Sequence, residues 1–193
     1  MAKDRAYYII NGITVYRLIA SPVLMVLIFT GKEELFKWLL ALSFFTDFID
    51  GFLAREFKVA SVFGSRLDSV ADDLTIVAAI TGLFVLKFDF VKTQWGIIIP
   101  LLALYLFQTA LALYRYKKIS SFHTYAAKCA AILQGIFLVL IFFLPQPLYL
   151  LFYGMSAVTA LELIEEIILV LHLPRWQANV KGLYWVMKKE KKK

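Results

Sequence analysis

One cysteine, Cys129, rules out an internal disulfide, and its place in an apolar helix leads to the expectation of a small core residue. Charge is also scarce. Asp, Glu, Lys and Arg make up 18% of the chain against 61% hydrophobic residues, and the mean hydropathy of +0.74 is too high for an ordinary soluble domain. Linkers, low-complexity tracts and clear internal repeats are missing, which points to one continuous domain over residues 1–193. The formal charge of +7 comes with no RNA or DNA motif, so nucleic acid is excluded as a partner and anionic lipid at a membrane face is favoured. Lys3 and Arg5 precede an apolar run, as in a signal peptide. That run is long, contains Arg17 and lacks a small-x-small cleavage site, so it is expected to be a retained first span.

What is present is a series of apolar stretches. Six segments near the roughly 20 residues that cross a bilayer run from about Ile9 to Thr30, Leu35 to Ala54, Gly64 to Leu86, Trp95 to Leu113, Tyr125 to Leu144 and Leu148 to Leu171. The expected fold is all-α: a polytopic membrane protein of six transmembrane helices. Residues 173–193 form a basic tail in which Trp176, Leu183, Tyr184 and Trp185 among lysines suggest a short helix lying in the interface. Basic residues at the N-terminus, between Arg55 and Arg66, at Arg115, Lys117 and Lys118, and in the tail fall on one side. The opposite side holds Lys32, Lys37, Lys87 and Lys92, partly balanced by Glu33, Glu34 and Asp89. The more basic side should be cytoplasmic, with both termini there.

Against this apolar background the stretch from Asp47 to Asp72 stands out. Asp47 and Asp50 are three residues apart, Asp68 and Asp72 four apart, so each pair shares a helix face. Two such helices facing each other would gather four acids. In a low-dielectric site these repel unless cations lie between them or some stay protonated. Hard divalent ions such as Mg²⁺ or Mn²⁺ suit all-carboxylate ligation, and two of them about 3.5–4 Å apart form a clamp used in phosphoryl chemistry. Between the pairs, Gly51, Ala54 and Gly64 leave room for a ligand or neighbouring backbone, and Arg55 offers a fork for phosphate. The combination reads as a nucleotide diphosphate site.

Asp47-x-x-Asp50-Gly51-x-x-Ala54-Arg55, eight intervening residues, then Gly64-x-x-x-Asp68-x-x-x-Asp72 resembles, position for position, the signature of the CDP-alcohol phosphatidyltransferases. The resemblance implies transfer of a phosphatidyl group from CDP-diacylglycerol to an alcohol with release of CMP, at a site open to the cytoplasm. It implies two Mg²⁺ or Mn²⁺ ions held chiefly by Asp47, Asp50 and Asp68. Asp72, the last of the series, is then the general base, and it also touches the second metal. Gly51 and Ala54 would accommodate cytidine and Arg55 its phosphates. Ser61 stands where relatives have a Ser or Thr near the nucleotide, and the first span carries an Asn11, Thr14, Arg17 pattern resembling theirs. Arg17 either neutralises the diphosphate, or snorkels or pairs with a structural acid.

The short single-domain format is similar to phosphatidylglycerophosphate synthases, which makes glycerol 3-phosphate the first expected acceptor. Inositol phosphate, serine or another phospholipid is the alternative. Lys128 and Gln134 match part of a pattern in glycerophosphate-accepting relatives, whereas Ala130 and Ala131 depart from it; His123 is a second acceptor candidate. Asp73 points away from the Asp72 face by about 100°. Glu162, Glu165 and Glu166 are expected to pair with Lys128, Arg17 or Arg66, the alternative being an acidic wall of the acceptor pocket. Family resemblance also suggests a homodimer. A cation transporter using the acids as an ion path is a different class of reading, but the glycine and arginine framework has no role in conduction.

Overall fold

The computed structural model describes residues 2–57, 62–118, 120 and 122–190; the side chains of residues 2–10, 51–55, 57, 62, 63, 65, 66, 189 and 190 fall outside this description. Among the described residues all regular structure is helical: α1 (Ala2–Phe29), α2 (Glu33–Phe57), α3 (Val62–Leu86), α4 (Phe88–Thr93), α5 (Trp95–Tyr116), α6 (Tyr125–Phe143), α7 (Tyr149–His172) and α8 (Leu183–Glu190). The expected segments correspond to α1, α2, α3, α5, α6 and α7. The break at Lys87–Gln94 contains the short helix α4, too brief to register as a periodic pattern. Among the described residues, α1, α3, α5 and α6 contain stretches long and apolar enough to cross a membrane. Helices α2 and α7 have comparable lengths, but Asp47 and Asp50 in one and Glu162, Glu165 and Glu166 in the other interrupt the apolar run.

Local chemistry sets the helix ends. Helix α1 closes in a Schellman turn: Gly31 takes φ +68°, its N–H donates to Ile28 O (3.1 Å), and the Lys32 N–H donates to Leu27 O (3.0 Å). Glu33 and Glu34 then open α2, where negative charge complements the helix dipole. Thr124 caps α6 by accepting the Ala127 N–H at 3.1 Å.

The chain forms two units, one of Met1–Val91 with Leu138–Pro145, the other of Lys92–Phe137 with Gln146–Lys193. In the first, α1 lies along both α2 and α3. Its inward seam is Thr14, Arg17, Ser21, Leu24 and Ile28, spaced alternately three and four apart. Helix α2 answers with Phe36, Leu40, Ser43 and Asp50, and α3 with Ala71, Thr75, Ala78, Ala79 and Gly82. The small residues of α3 admit a close approach: a Cβ on Gly82 would stand 2.5 Å from the Phe36 ring, which packs edge-on against Phe142 at 4.9 Å. One end of the three-helix seam is therefore apolar and the other polar. Large apolar side chains such as Ile19, Trp38, Phe45, Phe48 and Val77 face outward, as a lipid-covered surface requires. Beyond the apolar end, Lys87 pairs with Glu33 (2.5 Å) and Lys37 with Glu34 (2.6 Å).

In the second unit α5 packs on α7, around Ala112, Phe122, Leu169, Val170 and Leu173. The Tyr116 hydroxyl lies 3.0 Å from Val170 O and 2.8 Å from Leu173 O, serving carbonyls that α7 leaves unpaired at its C-terminus. The expected pairing of the α7 glutamates with bases is corrected for two of them. Glu166 accepts from Gln108 Nε2 (2.6 Å) and Ser120 Oγ (2.8 Å), and Glu165 Oε1 accepts the Leu183 N–H (2.8 Å) at the start of α8. Amide and hydroxyl donors thus stabilise these carboxylates, and the Glu165 bond ties the C-terminal helix to α7.

Candidate active site

The polar end of the three-helix seam is the acid cluster. Helical spacing puts Asp47 and Asp50 on the inward face of α2, and Asp68 and Asp72 on that of α3, so four carboxylates meet opposite α1. Arg17 of α1 stands among them. Its Nη1 lies 2.7 Å from Asp47 Oδ1, 3.3 Å from Asp50 Oδ2 and 3.1 Å from Asp68 Oδ1, while Nη2 contacts Asp72 Oδ1.

Burial is uneven. The Arg17 side chain is 1% exposed and Asp50 3%, but Asp47, Asp68 and Asp72 are 40%, 38% and 36% exposed, so the cluster is closed underneath and open on one side. Beneath Arg17 the seam continues in Ser21, whose hydroxyl donates to Arg17 O at 2.9 Å and stands 3.5 Å from Thr75 Oγ1. These two residues were not singled out from the sequence, although Ser21 extends the three-and-four spacing of Thr14 and Arg17.

One oxygen each from Asp47, Asp50 and Asp68 lie within 4.8 Å of one another. That separation suits shared ligation of a hard divalent cation, whose metal–oxygen bonds are about 2.0–2.6 Å. Four carboxylates facing one guanidinium also leave a formal surplus of three negative charges. Both the donor set and the charge fit a divalent metal.

The other expected site residues divide into three groups. Thr14 is buried on the α1 face that carries Arg17, and Asn11 and Gly64 are half-buried. Gly51, Ala54 and Arg55 fall in the last turns of α2, where side chains are outside the described residues, and Ser61 lies outside the described residues altogether. Lys128 and His123 belong to the second unit: Lys128 is exposed with Nζ 5.5 Å from the Tyr125 ring centre, and His123 is exposed at φ +52°. Asp73 is exposed, consistent with its expected direction away from the cluster.

Comparison with known proteins gives a family and a set of partial relatives. The family model for CDP-alcohol phosphatidyltransferase matches residues 7–172. A CDP-diacylglycerol–glycerol-3-phosphate 3-phosphatidyltransferase of Cereibacter sphaeroides is 40% identical over 74 residues, covering 36% of this chain and 34% of that protein. A protein of the same name in Haemophilus influenzae is 36% identical over 72 residues (35% and 38%). A probable phosphatidylglycerophosphate synthase of Mycobacterium tuberculosis is 32% identical over 90 residues (44% and 43%). The chain thus spans well under half the length of these curated relatives in the regions it matches. No solved structure matches.

Proposed function

Because the chain belongs to the CDP-alcohol phosphatidyltransferase family, we propose that it transfers the phosphatidyl group of CDP-diacylglycerol to a small alcohol and releases CMP. The observation that carries this reading is the meeting of Asp47, Asp50, Asp68 and Asp72 at one half-open point of the α1–α2–α3 seam. Glycerol 3-phosphate is the acceptor favoured by the names of the partial relatives. Inositol phosphate, serine or another phospholipid would use the same chemistry.

In this reading Asp47, Asp50 and Asp68, with Asp72 beside them, would hold Mg²⁺ or Mn²⁺, two ions per site. Bound there, the metal supplies positive charge to the donor diphosphate and to the departing CMP phosphate. The chain's own residues do the rest. Asp72 accepts the proton of the acceptor hydroxyl as that oxygen forms its bond to the β-phosphorus and the bond from that phosphorus to the CMP oxygen breaks. Arg55, Ser61, Asn11, Thr14 and Arg17 contact the nucleotide and its phosphates, with Gly51, Ala54 and Gly64 giving it room, while Lys128 and His123 are the acceptor candidates. Asp50, nearly closed off from solvent, fixes the floor of the site.

All six long helices cross the membrane in this reading, with α8 in the interface. Both termini and the acid cluster face the cytoplasm of a cell-membrane protein that acts as a homodimer. The pairing of Lys87 with Glu33 and Lys37 with Glu34 at the opposite end supports this orientation, since it cancels positive charge there.

A panel of alcohols incubated with purified protein, CDP-diacylglycerol and Mg²⁺ or Mn²⁺, with lipid products read by mass, tests the proposal. Glycerol 3-phosphate should yield phosphatidylglycerophosphate together with an equal amount of CMP. CMP release with none of the alcohols would overturn the reading, and release with serine or inositol phosphate alone would reassign the acceptor.

A further inference from the structure

The position of Arg17 Nη1 carries a consequence for the order of binding. It lies within 3.3 Å of an oxygen on each of Asp47, Asp50 and Asp68, the same three residues whose oxygens lie close enough together to share one cation. A metal ion and the guanidinium nitrogen therefore compete for one location, because a point within bonding distance of those oxygens falls on or beside Nη1. A second observation is independent of the acids: Arg17 Nε is buried and has no hydrogen-bond partner among the described residues. A buried guanidinium N–H left unsatisfied is costly, and such a group gains from a further acceptor.

We propose that Arg17 is a resident counter-ion that a divalent cation must displace from the carboxylates, and that the displaced guanidinium then receives the anion arriving with the metal. This rests on the nucleotide-diphosphate reading of the site. Lying against all four aspartates, Arg17 offsets their mutual repulsion and so stabilises the α1–α2–α3 packing. Swung toward a phosphate, it presents Nε and an Nη together, the fork that suits two phosphate oxygens. Metal and diphosphate should then bind cooperatively, each removing part of what opposes the other. Arg17 thereby acts as a positioning residue in addition to a ligand.

The test is Mn²⁺ binding to the full-length purified protein, followed by electron paramagnetic resonance with and without CDP as the anion probe. Arg17→Met removes the charge while keeping an unbranched side chain. It should bind Mn²⁺ without CDP about tenfold or more tightly than the wild-type protein. CDP should strengthen Mn²⁺ binding strongly in the wild-type protein and much less in the variant. Arg17→Lys, retaining a cation with a single compact head, should fall between the two. Equal or weaker Mn²⁺ binding by Arg17→Met, in protein that remains folded, would overturn the proposal. If Arg17→Met is unfolded without metal, Mn²⁺ should restore its melting transition, and failure to do so would count equally against it. Failure here alongside CMP release by the wild-type protein would sink only the role of Arg17. Tighter Mn²⁺ binding by Arg17→Met alongside no CMP release would sink the transferase reading and leave the counter-ion role standing.

Discussion

Replacing Asp72 by Asn keeps the size and shape of the side chain but removes its capacity to accept a proton. Arg17 would retain Asp47, Asp50 and Asp68 at 2.7, 3.3 and 3.1 Å, so the buried guanidinium stays neutralised and the seam should hold. Asp72 is also 36% exposed, so its own loss leaves little uncompensated burial. The fold should therefore change by no more than about 1 kcal/mol, the range of a partly exposed ion pair. Turnover is different. A positioned general base contributes about 10²–10⁴-fold, or roughly 3–5 kcal/mol of barrier, so CMP release by Asp72→Asn should fall by that factor while CDP-diacylglycerol binding stays within a few-fold. The assay is CMP release from CDP-diacylglycerol at saturating acceptor, paired with donor binding and a melting curve in the same detergent. Asp73→Asn, one residue on and exposed, is the control and should keep its rate. Near-normal turnover in Asp72→Asn would refute the assignment of the base.

Three further outcomes follow from the packing. Gly82→Ala should destabilise the first unit by about 1–3 kcal/mol, since its Cβ would stand 2.5 Å from the fully buried Phe36 ring and force it back; an unchanged melting temperature would contradict the close approach of α2 and α3. Glu166→Leu should cost about 1–3 kcal/mol by stripping Gln108 and Ser120 of their shared acceptor, whereas Glu166→Gln, which still offers an oxygen, should cost less. Equal melting temperatures for the two would contradict that network. Gly182→Ala should loosen α8, because Gly182 takes φ +146° and an added Cβ would lie 2.9 Å from Glu165 Oε1; hydrogen exchange at Leu183, whose N–H is held by that oxygen, reads the effect.

The long helices were legible because each long apolar run is bounded by charge, glycine or proline, and the grouping of the four aspartates because helical spacing alone aligns each pair. The spacing of Asn11, Thr14 and Arg17 likewise placed a polar face on α1. It left the partner of Arg17 open, since a sequence does not say which helix faces which. Helix α4 was hidden by its shortness and by the charges of Asp89 and Lys92 within it. The partners of Glu166 were missed for another reason. Gln108 and Ser120 are neutral and 58 and 46 residues away, so a search for opposite charge passes over them. The contact of Gly82 with Phe36 depends on helix packing distance, which one glycine in an apolar run does not encode.

In the proposed reaction the aspartates of α2 and α3 work through a divalent cation on a liponucleotide. The most direct test is CMP release from CDP-diacylglycerol by protein stripped of metal with a chelator and then resupplied. The expected result is no release when stripped, recovery with Mg²⁺ or Mn²⁺, and no recovery in Asp68→Asn at the metal concentration that restores the wild-type protein. Sustained release from the metal-free protein, or full recovery in Asp68→Asn at that same concentration, would contradict it.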